Sequence, residues 1–191
     1  MYRKIHYLEI PKYLERRLEK YLSRPPCSYK EVRDKLVFCL LYYQGFWVWV
    51  IRSLKITNYN SINKLLKFPL DSKHKKIGVI LPEEPTIRLL DYIVRRSRIP
   101  NSPLIRSLKL DSPLNKPLSR RQIERISEDI LKKLGFSRNI PPRVLRHHIA
   151  IRLTREKLTL PSLRKLIGPV STQTFTNYKQ KSGNFGEKGK I

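Results

Sequence analysis

The stretch that decides the fold of this 191-residue chain is Arg-Val-Leu-Arg-His-His-Ile-Ala, residues 143–150. Two prolines, Pro141 and Pro142, come directly before it. Proline is favoured in the first turn of an α-helix, because its fixed backbone angle suits that turn and its missing N–H is not needed there. The stretch is therefore predicted to lie on a helix that continues to about Lys157.

A second signal follows this helix along the chain. Arg143 and Arg146 are three residues apart, which places both on one helix face. A short helix is predicted over residues 159–167, closed by Gly168, and Tyr178 stands ten residues after that glycine. The two arginines and the tyrosine are the residues whose spacing carries functional information.

These features resemble the catalytic domain of the tyrosine recombinases, the phage integrase type. The carboxyl-terminal box of that family reads His-x-x-Arg-His-(Thr)-x-Ala, then Leu-Gly-His/Trp, then a nucleophilic Tyr nine residues on. Arg146-His147 and Ala150 match the first part, and residues 167–169, Ile-Gly-Pro, occupy the second. Tyr178 then stands at the nucleophile position, since 178 − 169 = 9.

Upstream segments extend the resemblance to roughly residues 10–180. Residues 40–47, Leu-Leu-Tyr-Tyr-Gln-Gly-Phe-Trp, look like the family's Leu-Leu-x-x-Thr-Gly-Leu-Arg segment. Residues 72–76, Ser-Lys-His-Lys-Lys, are similar to its basic hairpin, and residues 117–121 to the connector before its next helix. The resemblance implies a mainly α fold with a small antiparallel β-sheet, an α+β tyrosine recombinase catalytic domain.

Hydrophobic periodicity and helix end signals give the same architecture. Helices are predicted at 11–24, as a joined buried pair within 28–55, and at 83–97, 120–134, 141–157 and 159–167, around a small sheet with a basic tip at 58–82. We expect one catalytic domain over residues 1–180, without a separate amino-terminal DNA-clamping domain. Residues 181–191 are expected to form a flexible basic tail, which family members often pass to a neighbouring protomer.

The resemblance also implies the roles of the site residues. Tyr178 would attack the scissile phosphate and form a covalent 3'-phosphotyrosine, while Arg146 and Arg143 hold the phosphate oxygens. A hairpin lysine would protonate the leaving oxygen; Lys73 is the first choice and Lys75 the second, because hairpin alignment is loose. This chemistry needs no cofactor and no metal, since the bond energy is kept in the phosphotyrosine.

Three positions depart from the family pattern. Trp47 stands where the family has its first phosphate-binding arginine, Arg143 where it has a histidine, and Pro169 where it has His or Trp. Tryptophan donates one neutral N–H and supplies no charge. Arg143 is a partial replacement, and Arg52 a poorer one because it lies five residues beyond Trp47 on a predicted helix. We therefore expect an impaired enzyme; the alternative is an inactive DNA-binding relic or accessory protein.

The charge of the chain indicates its partner. Forty-one Lys and Arg residues against 15 Asp and Glu leave a net charge of +26. Residues 132–181 contain twelve basic residues and one acidic residue, Glu156, an imbalance that phosphate binding explains. Double-stranded DNA is the predicted partner, and assembly of a homo-oligomer on it is compatible with this prediction. The basic residues predicted to bind the DNA are Arg120, Arg121, Arg152, Arg164 and Lys75.

Other classes of function are less well supported. A basic RNA- or ribosome-associated protein fits the composition but has no RNA-recognition aromatic motif. The basic residues run through the whole chain rather than along one amphipathic helix, which disfavours a membrane surface, and the apolar run 36–51 is short for a bilayer crossing. Cys27 and Cys39 are too few for a zinc site. The expected location is the nucleoid in the cytoplasm, or alternatively a plastid or another organelle with its own DNA.

Overall fold

The computed structural model describes residues 10, 12–71, 76–97, 99–108, 116–136 and 140–183. Within them the chain is mainly α-helical with one small sheet, as predicted. The helices are α1 (Lys12–Ser23), α2 (Tyr29–Tyr42), α3 (Val48–Ser53), α4 (Glu84–Arg96), α5 (Arg120–Lys133), α6 (Pro142–Arg155), α7 (Leu160–Ile167) and α8 (Thr172–Gly183). The strands are β1 (Tyr59–Asn60), β2 (Leu65–Pro69) and β3 (Ile77–Ile80).

Helix α2 is the centre of the core. Its apolar run from Leu36 to Leu41 is fully buried, and α4, α5 and α6 pack around it. The helix begins at Ser28, whose hydroxyl accepts a hydrogen bond from the backbone N–H of Glu31 at 3.2 Å. The predicted pair of joined buried helices within 28–55 corresponds to α2 and α3. Within the described part of the chain, no helix is both long and apolar enough to cross a membrane.

The three strands pair antiparallel in the order β1-β2-β3. Leu66 lies opposite Ile80 and Phe68 opposite Gly78, so that one face of the sheet joins the core. Gly78 allows this packing, because a Cβ there would lie 2.6 Å from the Phe68 ring. The tip between β2 and β3 contains residues 72–75, which lie outside the described residues.

Helices α6, α7 and α8 share a second apolar cluster. Its buried members are Ile149, Ala150, Ile151, Leu163, Ile167, Val170, Phe175 and Tyr178. Helix α8 is not among the helices predicted from the sequence, because Thr-Gln-Thr-Phe-Thr-Asn has β-branched and polar residues of modest helix propensity. Two buried aromatic anchors and the capping of Thr174 N–H by the Ser171 hydroxyl at 3.1 Å form the helix instead.

Helix α8 also bears on the predicted tail. It continues through Gly183, so the first three residues of the tail predicted at 181–191 are helical. Residues 184–191 lie outside the described part of the chain.

Candidate active site

Arg146 is the structural centre of the site. Its Nη1 donates hydrogen bonds to the carbonyl oxygens of Gly45, at 2.7 Å, and Ile167, and its Nη2 donates to the carbonyl oxygen of Pro169 at 3.2 Å. The residue is only 3% exposed, and this burial lowers the guanidinium pKa to about 10. Arg146 therefore stays positively charged at neutral pH and ties together the loop before α3 and the segment after α7.

Gly45 is what brings that loop against α6. Its backbone has φ +60°, the left-handed region that glycine adopts without penalty. A Cβ at this position would lie 2.5 Å from Cγ2 of Ile149. Glycine is thus required twice, for the backbone conformation and for the close approach that presents its carbonyl to Arg146.

Trp47 covers the guanidinium of Arg146. The Arg146 Cζ lies 4.5 Å from the centre of the Trp47 ring, within cation–π range. The indole is 37% exposed, so it is a surface cover and not the core residue that an apolar run usually implies. Trp49 is half-buried and packs against the core.

Tyr178 reaches the site from α8. Its hydroxyl oxygen lies 2.6 Å from Nδ1 of His147, the residue that follows Arg146, and the tyrosine is only 2% exposed. Burial and the positive charges of Arg146 and Arg143 together lower the pKa of His147 to about 4. His147 is therefore neutral at pH 7, with one ring nitrogen available as an acceptor.

The neighbouring histidine faces away from this pair. His148 is stacked on Tyr42 with ring centres 5.9 Å apart, and its Nε2 lies 3.1 Å from a carboxylate oxygen of Glu15. The two adjacent histidines therefore contact different parts of the fold, as their positions on one helix predict. Among the described residues, no group of three His, Cys, Asp or Glu side chains is placed to hold a metal ion.

A cavity of about 550 Å³ opens beside Trp47. It is lined by apolar and proline residues and by four arginines with one glutamate: Arg52, Arg120, Arg143, Arg146 and Glu124. Arg120 pairs with Glu124 at 2.8 Å, so one of the four positive charges is already neutralised. The excess of positive charge makes this cavity suitable for an anionic group.

The cavity changes one inference from the sequence. Arg52 was expected to point away from Trp47, on the assumption that both lie on one regular helix. Trp47 is instead the extended N-cap residue of α3, with ψ 147°, and Arg52 lines the same cavity. Nε of Arg52 donates a hydrogen bond to the carbonyl oxygen of Leu118 at 3.1 Å, which fixes the side chain there.

The other predicted DNA contacts are spread around the molecule. Arg121 lines a separate cavity of about 560 Å³ together with Lys116 and Arg125. Arg164 lines a third, of about 530 Å³, and its Nε donates to the Val170 carbonyl oxygen at 2.9 Å.

The remaining predicted site residues are Arg152 and the two hairpin lysines. Arg152 is half-buried, and its Nε has no hydrogen-bond partner among the described residues. Lys73 and Lys75 lie outside the described residues.

Sequence reasoning missed the backbone half of the site. The three carbonyl oxygens around Arg146 belong to Gly45, Ile167 and Pro169, and carbonyls leave no mark in a sequence. Only the glycine at 45 signalled a close approach. Pro169, which has no side-chain donor to offer a phosphate, contributes through its carbonyl oxygen.

Comparison with known proteins shows the family of the chain. The profile of the Phage integrase family matches residues 14–184. The chain therefore belongs to the phage integrase family, the tyrosine recombinases, as the sequence resemblance predicted.

Individual relatives point the same way. The chain is 25% identical over 169 residues to the tyrosine recombinase XerC of Chlamydia pneumoniae, which covers 86% of this chain and 53% of that protein. It is 26% identical over 149 residues to XerC of Lactobacillus leichmannii, covering 77% and 50%. The chain thus spans about half the length of the curated relatives it matches.

Solved structures share the fold. The XerA recombinase superimposes with a TM-score of 0.71 at 19% identity, covering 96% of this chain and 66% of that one. The XerH site-specific recombinase, in a post-cleavage complex with its palindromic difH substrate, also gives 0.71, at 18% identity, covering 94% and 51%.

Proposed function

We propose that this domain binds duplex DNA and breaks one strand by covalent catalysis at Tyr178. The hydroxyl oxygen of Tyr178 attacks the phosphorus, a 3'-phosphotyrosine forms, and the 5' oxygen of the broken strand leaves. The reverse attack by a 5'-hydroxyl rejoins DNA and frees the tyrosine. The observation that carries this proposal is the contact of Tyr178 with His147, next to an arginine that lines a cationic cavity.

The reaction is expected to be slow, because the site lacks the positive charge of the family's first phosphate-binding arginine. A phosphorane transition state gathers negative charge on its non-bridging oxygens, and Trp47 replaces the arginine that would neutralise part of it. If that arginine behaves like one lost oxyanion donor, the cost is about 3 to 4 kcal/mol, or roughly 10² to 10³ in rate. Arg143 and Arg52 line the same cavity and offset part of the loss.

Duplex DNA is the proposed partner, at the bacterial nucleoid in the cytoplasm or in another DNA-containing compartment. The +26 charge supports sequence-independent attraction to phosphates. The XerH neighbour was captured with its substrate, and a lambda integrase neighbour was captured as a dimer on a core site. We extend both properties to this chain as proposals: binding to duplex DNA and assembly of more than one copy on it.

A second candidate function is DNA binding without cleavage. It is favoured by the closed state of the site, in which Tyr178 is 2% exposed and three hydrogen bonds of Arg146 go to backbone carbonyls. For cleavage, DNA binding must expose the tyrosine and bring a phosphate oxygen to the guanidinium. A domain in which this opening never occurs would hold DNA without breaking it.

A nicked suicide duplex separates the two functions. When the strand breaks near the nick, the short 5' fragment diffuses away, rejoining fails and the covalent complex accumulates. Denaturing electrophoresis is expected to show a slow-forming covalent band, absent in Tyr178→Phe, which keeps the ring and lacks the attacking oxygen. DNA binding without any band supports the second candidate, and a band that persists in Tyr178→Phe contradicts the assignment of the nucleophile.

A further inference from the structure

We propose that His147 accepts the proton of the Tyr178 hydroxyl as that oxygen attacks the phosphate. This inference rests on the proposed function and adds a catalytic residue to it. His147 does not stand at the position of the family's first histidine in the box, which Arg143 occupies here. The base is therefore inferred from the contact in this structure and not from the alignment.

Geometry is the first support. The two atoms lie 2.6 Å apart, short for a hydrogen bond between a ring nitrogen and a hydroxyl, and both residues sit within the packing of α6 against α8. The rings are tilted by 58° with centres 5.7 Å apart, so they contact through these polar atoms and do not stack. A general base must lie within hydrogen-bond reach of the proton that it removes, and His147 meets that condition in the resting protein.

Electrostatics is the second support. The charged groups facing His147 from its own helix are Arg143 and Arg146, and the titratable group facing it from α8 is Tyr178. Burial and, to a smaller extent, the two arginines disfavour a proton on His147 in the free protein, which leaves the ring neutral and able to accept one. A bound phosphodiester places negative charge between the arginines, which offsets their repulsion and raises the proton affinity of His147 during the reaction.

The proposed step is balanced. The Tyr178 oxygen forms a bond to phosphorus while its proton moves to Nδ1 of His147, and the bond from phosphorus to the 5' oxygen breaks. The leaving 5' oxygen takes a proton from a general acid, the role that the sequence predicts for Lys73. In the rejoining direction, His147 returns its proton to the departing tyrosine oxygen.

The tautomer of His147 gives a test that does not depend on catalysis. ¹⁵N NMR of histidine-labelled protein is expected to show His147 with its proton on Nε2 and with Nδ1 accepting from Tyr178. Tyr178→Phe is expected to shift the Nδ1 signal of His147 and to leave His148 unchanged, and His147→Gln assigns the signal. A proton found on Nδ1 would overturn the proposal, because that nitrogen would donate to the tyrosine and accept nothing.

Adduct kinetics then test the role itself. His147→Gln keeps an amide near the hydroxyl but removes the base, so adduct formation on the suicide duplex is expected to fall about 10²- to 10⁴-fold. The remaining rate is expected to rise with pH, roughly tenfold per unit, because hydroxide must then remove the proton. His148→Gln, one position along the same helix, is the matched control and is expected to lose much less.

A duplex with a sulfur in place of the bridging 5' oxygen separates base from acid. A thiolate leaves without a proton, so this substrate is expected to rescue Lys73→Ala and not His147→Gln. Rescue of His147→Gln would overturn the proposal, as would an unchanged rate on ordinary DNA. If the unmodified chain forms no adduct on either duplex, the proposed strand cleavage itself fails and the role of His147 fails with it.

Discussion

At the residue scale, Arg146 holds the backbone segments of the site together, and under the proposed function it also binds the phosphate. Its three hydrogen bonds to backbone carbonyls hold the loop before α3 and the segment after α7. Among the described residues these bonds use three of the five N–H groups that the guanidinium could offer to the phosphate of the proposed function. Trp47 lies over the guanidinium and makes a cation–π contact with it. Its indole carries no positive charge that could replace the arginine of the family. Arg146 therefore builds the resting site, and under the proposed function the same contacts are expected to slow cleavage.

Restoring the missing charge is the first prediction. The triple change Trp47→Arg, Arg143→His and Pro169→His is expected to raise the rate of covalent adduct formation by about 10²-fold or more, because Trp47→Arg supplies a cation beside Arg146 and this outweighs the charge lost with Arg143→His. Gel-quantified time courses on nicked DNA measure it. Trp47→Phe within the same triple keeps an aromatic cover without charge and should show no such gain; an equal gain there would contradict the electrostatic reason. Robust strand exchange by the unmodified protein would contradict the proposed impairment.

Gly45 provides a second test at this scale. Gly45→Ala places a Cβ 2.5 Å from Ile149 Cγ2 at φ +60°, and we expect it to lower the free energy of unfolding by about 2 to 4 kcal/mol. Gly135→Ala is the matched control, since its φ is +89° but its nearest contact is the mobile end of Arg17 at 3.3 Å. Urea denaturation of both variants measures the difference. Equal losses would show that the packing against Ile149 adds nothing to the backbone strain.

At the scale of the element, sequence and structure agree best where one helix face is apolar. Helices α1, α4 and α5 follow the predicted spacing closely, because their buried positions recur every three or four residues. Helix α8 could not be predicted in this way, since it is stabilised by the packing of Phe175 and Tyr178 against residues of α6 that lie far from them in the sequence. The site follows the same division. Arg146 and Tyr178 were found by spacing, whereas the contact between Tyr178 and His147 and the position of Arg52 depend on tertiary packing.

The two histidines of α6, His147 and His148, make the free energy of unfolding depend on pH. Burial, together with the positive charges of neighbouring arginines, lowers the pKa of His147 and of His148 to about 4. In the unfolded chain both histidines have ordinary pKa values near 6.5, so they bind protons more readily there than in the folded protein. The contribution of these two histidines to the free energy of unfolding is therefore fully present above about pH 6.5 and is lost as the pH falls from 6.5 towards 4.

Thermal melts across this range check the prediction. The melting temperature is expected to fall between pH 6.5 and 4, and His148→Gln is expected to flatten part of that fall. Glu31, whose pKa is lowered to about 2 chiefly by a hydrogen bond from the Cys27 backbone, acts in a lower window, between about pH 4.5 and 2. An unchanged slope above pH 4.5 in His148→Gln would contradict a buried neutral His148.

On the scale of the whole molecule, charge is distributed unevenly. The cavities beside Trp47 and beside Arg121 are lined by arginines and lysine with a single glutamate, Glu124. The cavity of about 320 Å³ between α1, α2 and α5 instead contains three carboxylates beside its basic residues, those of Glu31, Asp34 and Asp129. A phosphate backbone is expected to follow the first two cavities and to avoid the third, because like charges repel it.

Salt dependence tests that path. The logarithm of the affinity for a duplex is expected to fall linearly with the logarithm of salt concentration, by about 0.9 for each phosphate contacted. Arg121→Gln is expected to make the slope about 0.9 shallower and to weaken binding alike on unrelated sequences, since phosphate contacts position a protein without reading bases. Lys30→Gln, in the cavity with the three carboxylates, removes the same charge and is expected to leave the slope unchanged. Fluorescence anisotropy at several salt concentrations measures both. Equal effects of the two variants would mean that net charge, and not a defined path, attracts the DNA.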